Sequence, residues 1–154
     1  MIKKIALGLI GLLIVIQFIP QEKNLSDDQQ FDISKKYEIP ADVQVILKNA
    51  CNDCHTNKST YPWYSNIQPV GFWLNHHIND GKKHLNFSDW SSYTLKKKEH
   101  KMDELHEEVA KGEMPLDSYT WTHGDANLTQ AQIDAIVTWG KKAQADYKQQ
   151  MSTE

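Results

Sequence analysis

The chain contains two cysteines, and both fall in one five-residue run, Cys51-Asn52-Asp53-Cys54-His55. Cys-x-x-Cys-His is the attachment signature of c-type haem. Thiols at this spacing can add S–H across the two vinyl groups of a porphyrin, each forming a thioether. The adjacent imidazole can then reach under the ring to the iron. Other chemistries also use cysteine pairs. A thioredoxin-like redox pair calls for a βαβ pattern, and none surrounds this run. A zinc site would join both thiolates to two histidines, but it leaves the adjacency of His55 unexplained and lacks a regular His-x₃₋₅-His partner, His100 and His106 coming nearest. A disulfide between Cys51 and Cys54 would close a very small loop. One covalent haem c accounts for every residue of the run.

Iron held by His55 has a second axial position. Met114 is the leading candidate for it: it stands just past a helix stop, is followed by Pro115, and lies 59 residues beyond His55. A thioether is a soft ligand that favours ferrous iron and raises the potential. Methionine is also a common filler of irregular apolar gaps. Met102 and the histidines at 76, 77, 84, 100, 106 and 123 are the rival ligands. His76 and His77 stand first among them, because an amphipathic helix points at least one inward. An open sixth site is the remaining alternative. Trp63, Tyr64 and Trp73 are candidate pocket walls, as are Trp90 and Trp121, with ring donors able to meet haem propionates. The sequence has no arginine, so the propionates fall to lysines, ring donors, amides or backbone N–H groups.

Helices must position these groups. Pro40 marks a start, and Val43, Ile46, Leu47 and Ala50 recur on one helical face that runs into Cys51. Residues 56–69 read as a loop. The stretch from Val70 to Asp80 can form a helix with Val70, Trp73, Leu74, His77 and Ile78 on one side, ended by Gly81 as a left-handed cap. Residues 82–93 look irregular. A longer helix covers Leu95 to Lys111 with Met102, Leu105, His106 and Val109 inward, stopped by Gly112. Its like-charged pairs, such as Lys97/Lys101 and Glu104/Glu108, oppose it locally, so packing must hold it. Thr129 to Gln132 reads as a capping box for a last helix, with Ile133, Ile136, Val137, Gly140 and Ala143 inward. Glycine costs about 1 kcal/mol at a helix interior, so Gly140 implies a close neighbour, here expected to be the helix before Cys51. No strand alternation appears. The expectation is an all-α, cytochrome c-like fold of about four helices, whose long loops wrap around one haem.

Lys3 and Lys4 precede an uncharged run from Ile5 to Ile19, closed by Pro20. A charged start and a 15-residue apolar core also suit a cleaved signal peptide, but no small-residue cleavage site follows. The run is therefore read as an uncleaved membrane anchor with its lysines cytoplasmic and the rest exported. The organisation is a signal-anchor at 1–20, a partly disordered linker at 21–38 and a haem-binding domain at 39–150. Of 17 lysines, two lie in the anchor, which leaves 15 against 20 acids and a net charge of −5. That balance argues against nucleic-acid binding. The lysines from 82 to 101 read first as a solvated surface and second as a docking face for a redox partner protein.

Three stretches, Cys51 to His55, Tyr61 to Val70 and Gly112-Glu113-Met114-Pro115-Leu116, give residues 38–145 a resemblance to the bacterial haem-binding domain family, and more broadly to monohaem c-type cytochromes. The resemblance implies covalent haem at Cys51 and Cys54 with His55 as axial ligand; a leading membrane segment is usual in the family. The reading is a periplasm-facing one-electron carrier rather than an enzyme, tethered to the cytoplasmic membrane. A peroxidase-like activity or a haem-based sensor module, each needing an open or labile sixth site, is the alternative.

Overall fold

Apolar residues at helical spacing become seven α-helices in the computed structural model, which describes residues 1–153. They are α1 (Ile2–Ile16), α2 (Ala41–Ala50), α3 (Asn52–His55), α4 (Val70–His84), α5 (Leu95–Lys111), α6 (Asp117–Thr120) and α7 (Gln130–Ser152). Short 3-10 turns cover Ile33–Lys35, Trp63–Asn66, Phe87–Ser92 and Gly124–Ala126. Among the described residues there is no strand, only an isolated bridge between Leu25 and Lys58. The all-α expectation holds. The four expected domain helices are α2, α4, α5 and α7, α1 is the leader, and the extra ones are two single turns, α3 and α6.

The core lies between α2, α5, α7 and the 87–92 turn. Val43, Ile46, Leu47 and Ala50 of α2 are buried, as are Met102, Leu105, His106 and Val109 of α5. These are the residues their periodicity selects. α5 is capped by the Thr94 side chain, which accepts from the Lys97 N–H, and ends at Gly112 with φ 76°. Thr129 and Gln132 form the expected capping box on α7. That helix buries Ile136, Trp139, Gly140, Ala143 and Tyr147, whereas Ile133 and Val137 are only partly covered. Two aromatic rings of its inner face reach polar partners: Trp139 Nε1 donates to the Glu38 carbonyl (3.2 Å) and Trp90 Nε1 donates to the Tyr147 hydroxyl (2.9 Å).

The close neighbour at Gly140 is α5, not α2. A Cβ there would stand 3.0 Å from His106 Cβ and 3.2 Å from Leu105 Cδ2. α5 and α7 make the largest helix–helix contact in the molecule, and glycine lets them approach at this crossing. Packing of this pair holds α5 despite its like-charged neighbours.

α4 differs from its expected form in two ways. It continues through Gly81 to His84, and it buries Gly71 and Ile78 while Val70 and Trp73 stay exposed. Its inner side carries Gly71, Ile78 and Gly81, and at the two glycines the helix lies too close to neighbouring backbone for any side chain. Residues 82–93 are likewise ordered, as the end of α4 and the 87–92 turn.

α1 buries none of its residues. Its 15 residues span about 22 Å, against about 30 Å of bilayer hydrocarbon. No helix among the described residues is long and apolar enough to cross a membrane.

The segment expected to be a loose linker instead lies along the domain. The Ser26 N–H donates to the Asn57 carbonyl and the Ser59 N–H to the Asn24 carbonyl, both at 2.9 Å. Asn24 Nδ2 donates to the Thr56 carbonyl and to Ser59 Oγ, each at 2.8 Å. Ile33 enters the core at 2 % exposure, and the Tyr37 hydroxyl donates to Asp146 (2.6 Å). Its polar composition suits this role, since the strap is held by amides and carbonyls as much as by apolar burial.

A chain starting at Ile39 should therefore unfold at lower urea concentration than one starting at Gln21. Loss of the buried Ile33 side chain alone accounts for about 1.5–3 kcal/mol. Equal midpoints would show that residues 21–38 add nothing to the domain.

Candidate functional site

α2 runs directly into the cysteine run, with only Cys51 between α2 and α3. The Cys51 N–H donates to the Leu47 carbonyl (3.0 Å), and the Cys54 and His55 N–H groups both donate to the Cys51 carbonyl (3.1 and 3.0 Å). One helical turn thereby puts Cys51, Cys54 and His55 around a single opening. The two residues between the cysteines secure that turn. Asp53 accepts from the Thr60 N–H (2.8 Å) and from the Tyr119 hydroxyl (2.9 Å). The Asn52 carbonyl accepts from Thr56 Oγ1 (2.6 Å).

α4 covers this turn at unusually short range. A Cβ on Gly81 would lie 2.8 Å from the Cys54 carbonyl oxygen and 3.0 Å from Cys54 Cβ. Gly81 is thus a contact residue inside a helix rather than a left-handed cap. The chain leaving α4 then places the Leu85 carbonyl 3.0 Å from His55 Nδ1. A carbonyl can only accept, so Nδ1 carries the proton and Nε2 keeps its lone pair. This is the arrangement that orients a metal-binding histidine. Burial lowers the His55 pKa, and a neighbouring His84 adds to the effect. The Leu85 and Gly81 carbonyls oppose it. The outcome favours a neutral imidazole, the form that binds a metal.

Cys51 and Cys54 are free thiols. Burial raises Cys51 to about 12, with the nearby Cys54 adding to it. Burial also raises Cys54 to about 11, with the Asp53 charge as the second cause. Burial thus favours the protonated thiol at both positions. Among the described residues, no three His, Cys, Asp or Glu side chains gather as a metal-binding group.

Two adjoining cavities, of about 380 Å³ and about 350 Å³, flank His55 and share Cys51, His55, Asp80, His84 and Met114 along their border. Together they form one cleft in the size range of cofactor sites. One half is walled by Leu85, Phe87, Leu105, Val109 and Ile136. The other brings in Ala50, Cys54, Leu116 and Tyr119. Apolar walls, two thiols on one side and a neutral imidazole suit a flat, largely apolar prosthetic group. Lys101 and His84 are cationic or donor side chains at the first half, although Lys101 is paired with Glu104.

Met114 borders both halves of the cleft, as His55 does. Its N–H and that of Glu113 donate to the Glu108 carbonyl at 3.3 and 2.9 Å, so the end of α5 sets the loop's position. Of the rivals, His84 also borders both halves, and His76 and His77 border the second. Met102 is fully buried in the core, and His100, His106 and His123 do not line the cleft.

The aromatic pocket expected from Trp63, Tyr64 and Trp73 is not what the fold builds. None of the three lines the cleft, and Trp63 is 76 % exposed. Trp63 and Tyr64 sit on the 63–66 turn and Trp73 on the exposed side of the first turn of α4. Trp73 comes nearest, its ring 4.3 Å from that of His77. Trp90 belongs to the core, and Trp121 is exposed. The sequence reading missed Leu85, Phe87 and Tyr119. Leu85 acts through a backbone carbonyl, which any residue supplies. Tyr119 is 66 residues from Asp53, and no local pattern links them.

The sequence matches the family model of a haem-binding domain over residues 11–142. No curated protein and no solved structure gives a match. The matched span covers most of the chain, which therefore belongs to the haem-binding domain family.

Gly81→Ala should destabilise the fold by about 1–3 kcal/mol, because its methyl meets backbone rather than a movable side chain. It should also lower haem content per chain. Gly124→Ala, with open space around its Cβ, is the control and should leave the unfolding midpoint unchanged. Tyr119→Phe removes a hydrogen bond to a carboxylate and should cost about 1.5–3 kcal/mol in the same denaturation experiment.

Proposed function

We propose that this haem-binding domain holds one haem c covalently, through thioethers to Cys51 and Cys54, and serves as a one-electron carrier on the outer side of the cytoplasmic membrane. The observation that carries the reading is the Leu85 carbonyl on His55 Nδ1, at the edge of an apolar cleft that both cysteines border. Each thiol adds its S–H across one vinyl double bond, so no atom leaves and no outside oxidant is needed. His55 would hold the iron through Nε2, and Met114 would supply the second protein ligand. Bound haem supplies a ferric/ferrous couple.

The protein's own residues do the rest. Leu85 and the Gly81 contact hold the imidazole's tautomer and position. Leu105, Val109, Ile136 and Phe87 exclude water, which limits reorganisation when charge changes by one. The position of Met114 on a loop tied to the end of α5 supports its role as ligand. His84, which also borders both halves, is the strongest histidine alternative.

The membrane tether remains part of the reading. Its support is the lysine-led apolar α1, which finds no partner surface in the domain. Its partners would be redox proteins on that membrane.

Haem should stay with the polypeptide through acid–acetone extraction, and Cys51→Ala with Cys54→Ala should release it; loss from the unaltered chain sinks covalent attachment. Met114→Ala should abolish the methionine-to-iron charge-transfer band in the near infrared. It should also let carbon monoxide bind the reduced protein quickly. Identical spectra would move the sixth ligand to His84, His76 or His77. Rapid carbon monoxide binding to the unaltered chain would favour a peroxidase-like or sensor role.

A further inference from the structure

Residues 59–79 make up 21 consecutive positions without one Asp, Glu, Lys or Arg, in a chain that is 24 % charged. Folding buries Ile78 of this run but leaves four of its large apolar side chains exposed. Trp63 is 76 % exposed, Ile67 45 %, Val70 40 % and Trp73 47 %. An isolated exposed apolar residue would be ordinary, whereas a cluster of this kind marks an interaction surface. None of the four lines the cleft.

The run is fastened to the end of α1. The Gln68 N–H donates to Gln17 Oε1 (2.9 Å), and Gln17 Nε2 donates back to the Gln68 carbonyl (3.0 Å). Just past that junction, Phe18 is 82 % exposed. Lys23 is the nearby cation, donating to Asn66 Oδ1 (2.7 Å). An apolar helix, an exposed aromatic cluster and one lysine thus meet at the same place.

We propose that Phe18, Trp63, Ile67, Val70 and Trp73 form a docking surface for the lipid–water interface of the membrane that α1 enters. This rests on the reading of α1 as a membrane tether and adds to it a second contact made by the folded domain. Tryptophan favours the headgroup layer, where an apolar ring and a polar N–H are both accommodated. Charge points the same way. The part of the chain after the leader carries a net charge of −5, so an anionic leaflet repels most of its surface. The 59–79 run is a face that it does not repel, and Lys23 can reach phosphates beside it. A short α1 is also accommodated more easily when an adjoining patch sits in the interface. The Trp73 ring lies 4.3 Å from that of His77, which borders the cleft, so this seating brings the cleft to the bilayer surface.

The test uses full-length, haem-loaded protein in vesicles of phosphatidylethanolamine and phosphatidylglycerol, footprinted with hydroxyl radicals and read residue by residue by mass spectrometry. Trp121, 82 % exposed and outside the run, is the internal reference. Trp63 should be oxidised several-fold less than Trp121, and Val70→Glu should restore it. Equal oxidation in protein that floats with the vesicles overturns the docking surface and leaves the tether intact. Protein that does not float overturns both. Protection that disappears as the protein is diluted in lipid assigns the patch to a second copy of this chain and likewise overturns the proposal.

Discussion

The site depends on how closely α4 lies against the single turn that carries Cys51, Cys54 and His55. That approach is available only because position 81 has no side chain. From it follow the path of the chain out of α4, the Leu85 carbonyl on His55, and hence the proton on Nδ1. A shift of α4 by a methyl's width would loosen the imidazole and open the cleft together. The haem motif is thus supported as much by a backbone contact as by its own residues.

The core is built so that this contact can persist. α5 and α7 pack across Gly140 and hold Leu105, Val109 and Ile136 against the cleft, while their outer faces carry the charges. The end of α5 also sets the 113–114 loop, so one helix supplies a wall and places the candidate ligand. The strap at 24–37 ties the leader side of the chain to the loop just after His55 and to α7. Mechanical connection therefore runs from α1 through the strap to the turn that carries Cys51, Cys54 and His55.

Apolar surface divides into three kinds with different fates. Helical stripes of α2, α5 and α7 are consumed by the core. The cleft's walls line the cavities beside His55. The leader and the 63–73 patch have no partner within the domain. Only the first kind is fully stabilised by folding of the polypeptide alone. The two others are the surfaces that the proposed haem and the proposed lipid contact would cover.

Much of this was legible in the sequence, because it depends on neighbours along the chain. The haem motif, the all-α class, the inward faces of α2 and α5, the Gly112 stop and the Thr129 capping box are all local patterns, set by side-chain spacing and backbone preference. What required the tertiary structure were contacts between distant segments. Gly81 reads locally as a helix cap and becomes a crossing residue only when Cys54 is opposite it. Gly140 announced a close neighbour without saying which, and the structure chose α5. Trp63, Tyr64 and Trp73 are expected at the haem because aromatic rings often line such pockets, yet none of them lines the cleft, and α4 turns Gly71 and Ile78 inward instead of Trp73. Tyr119 and the Leu85 carbonyl carry no signature at all. The sequence by itself thus determined which chemistry is present and which elements form. Only the fold decided which surface each element would bury, since burial depends on what stands opposite.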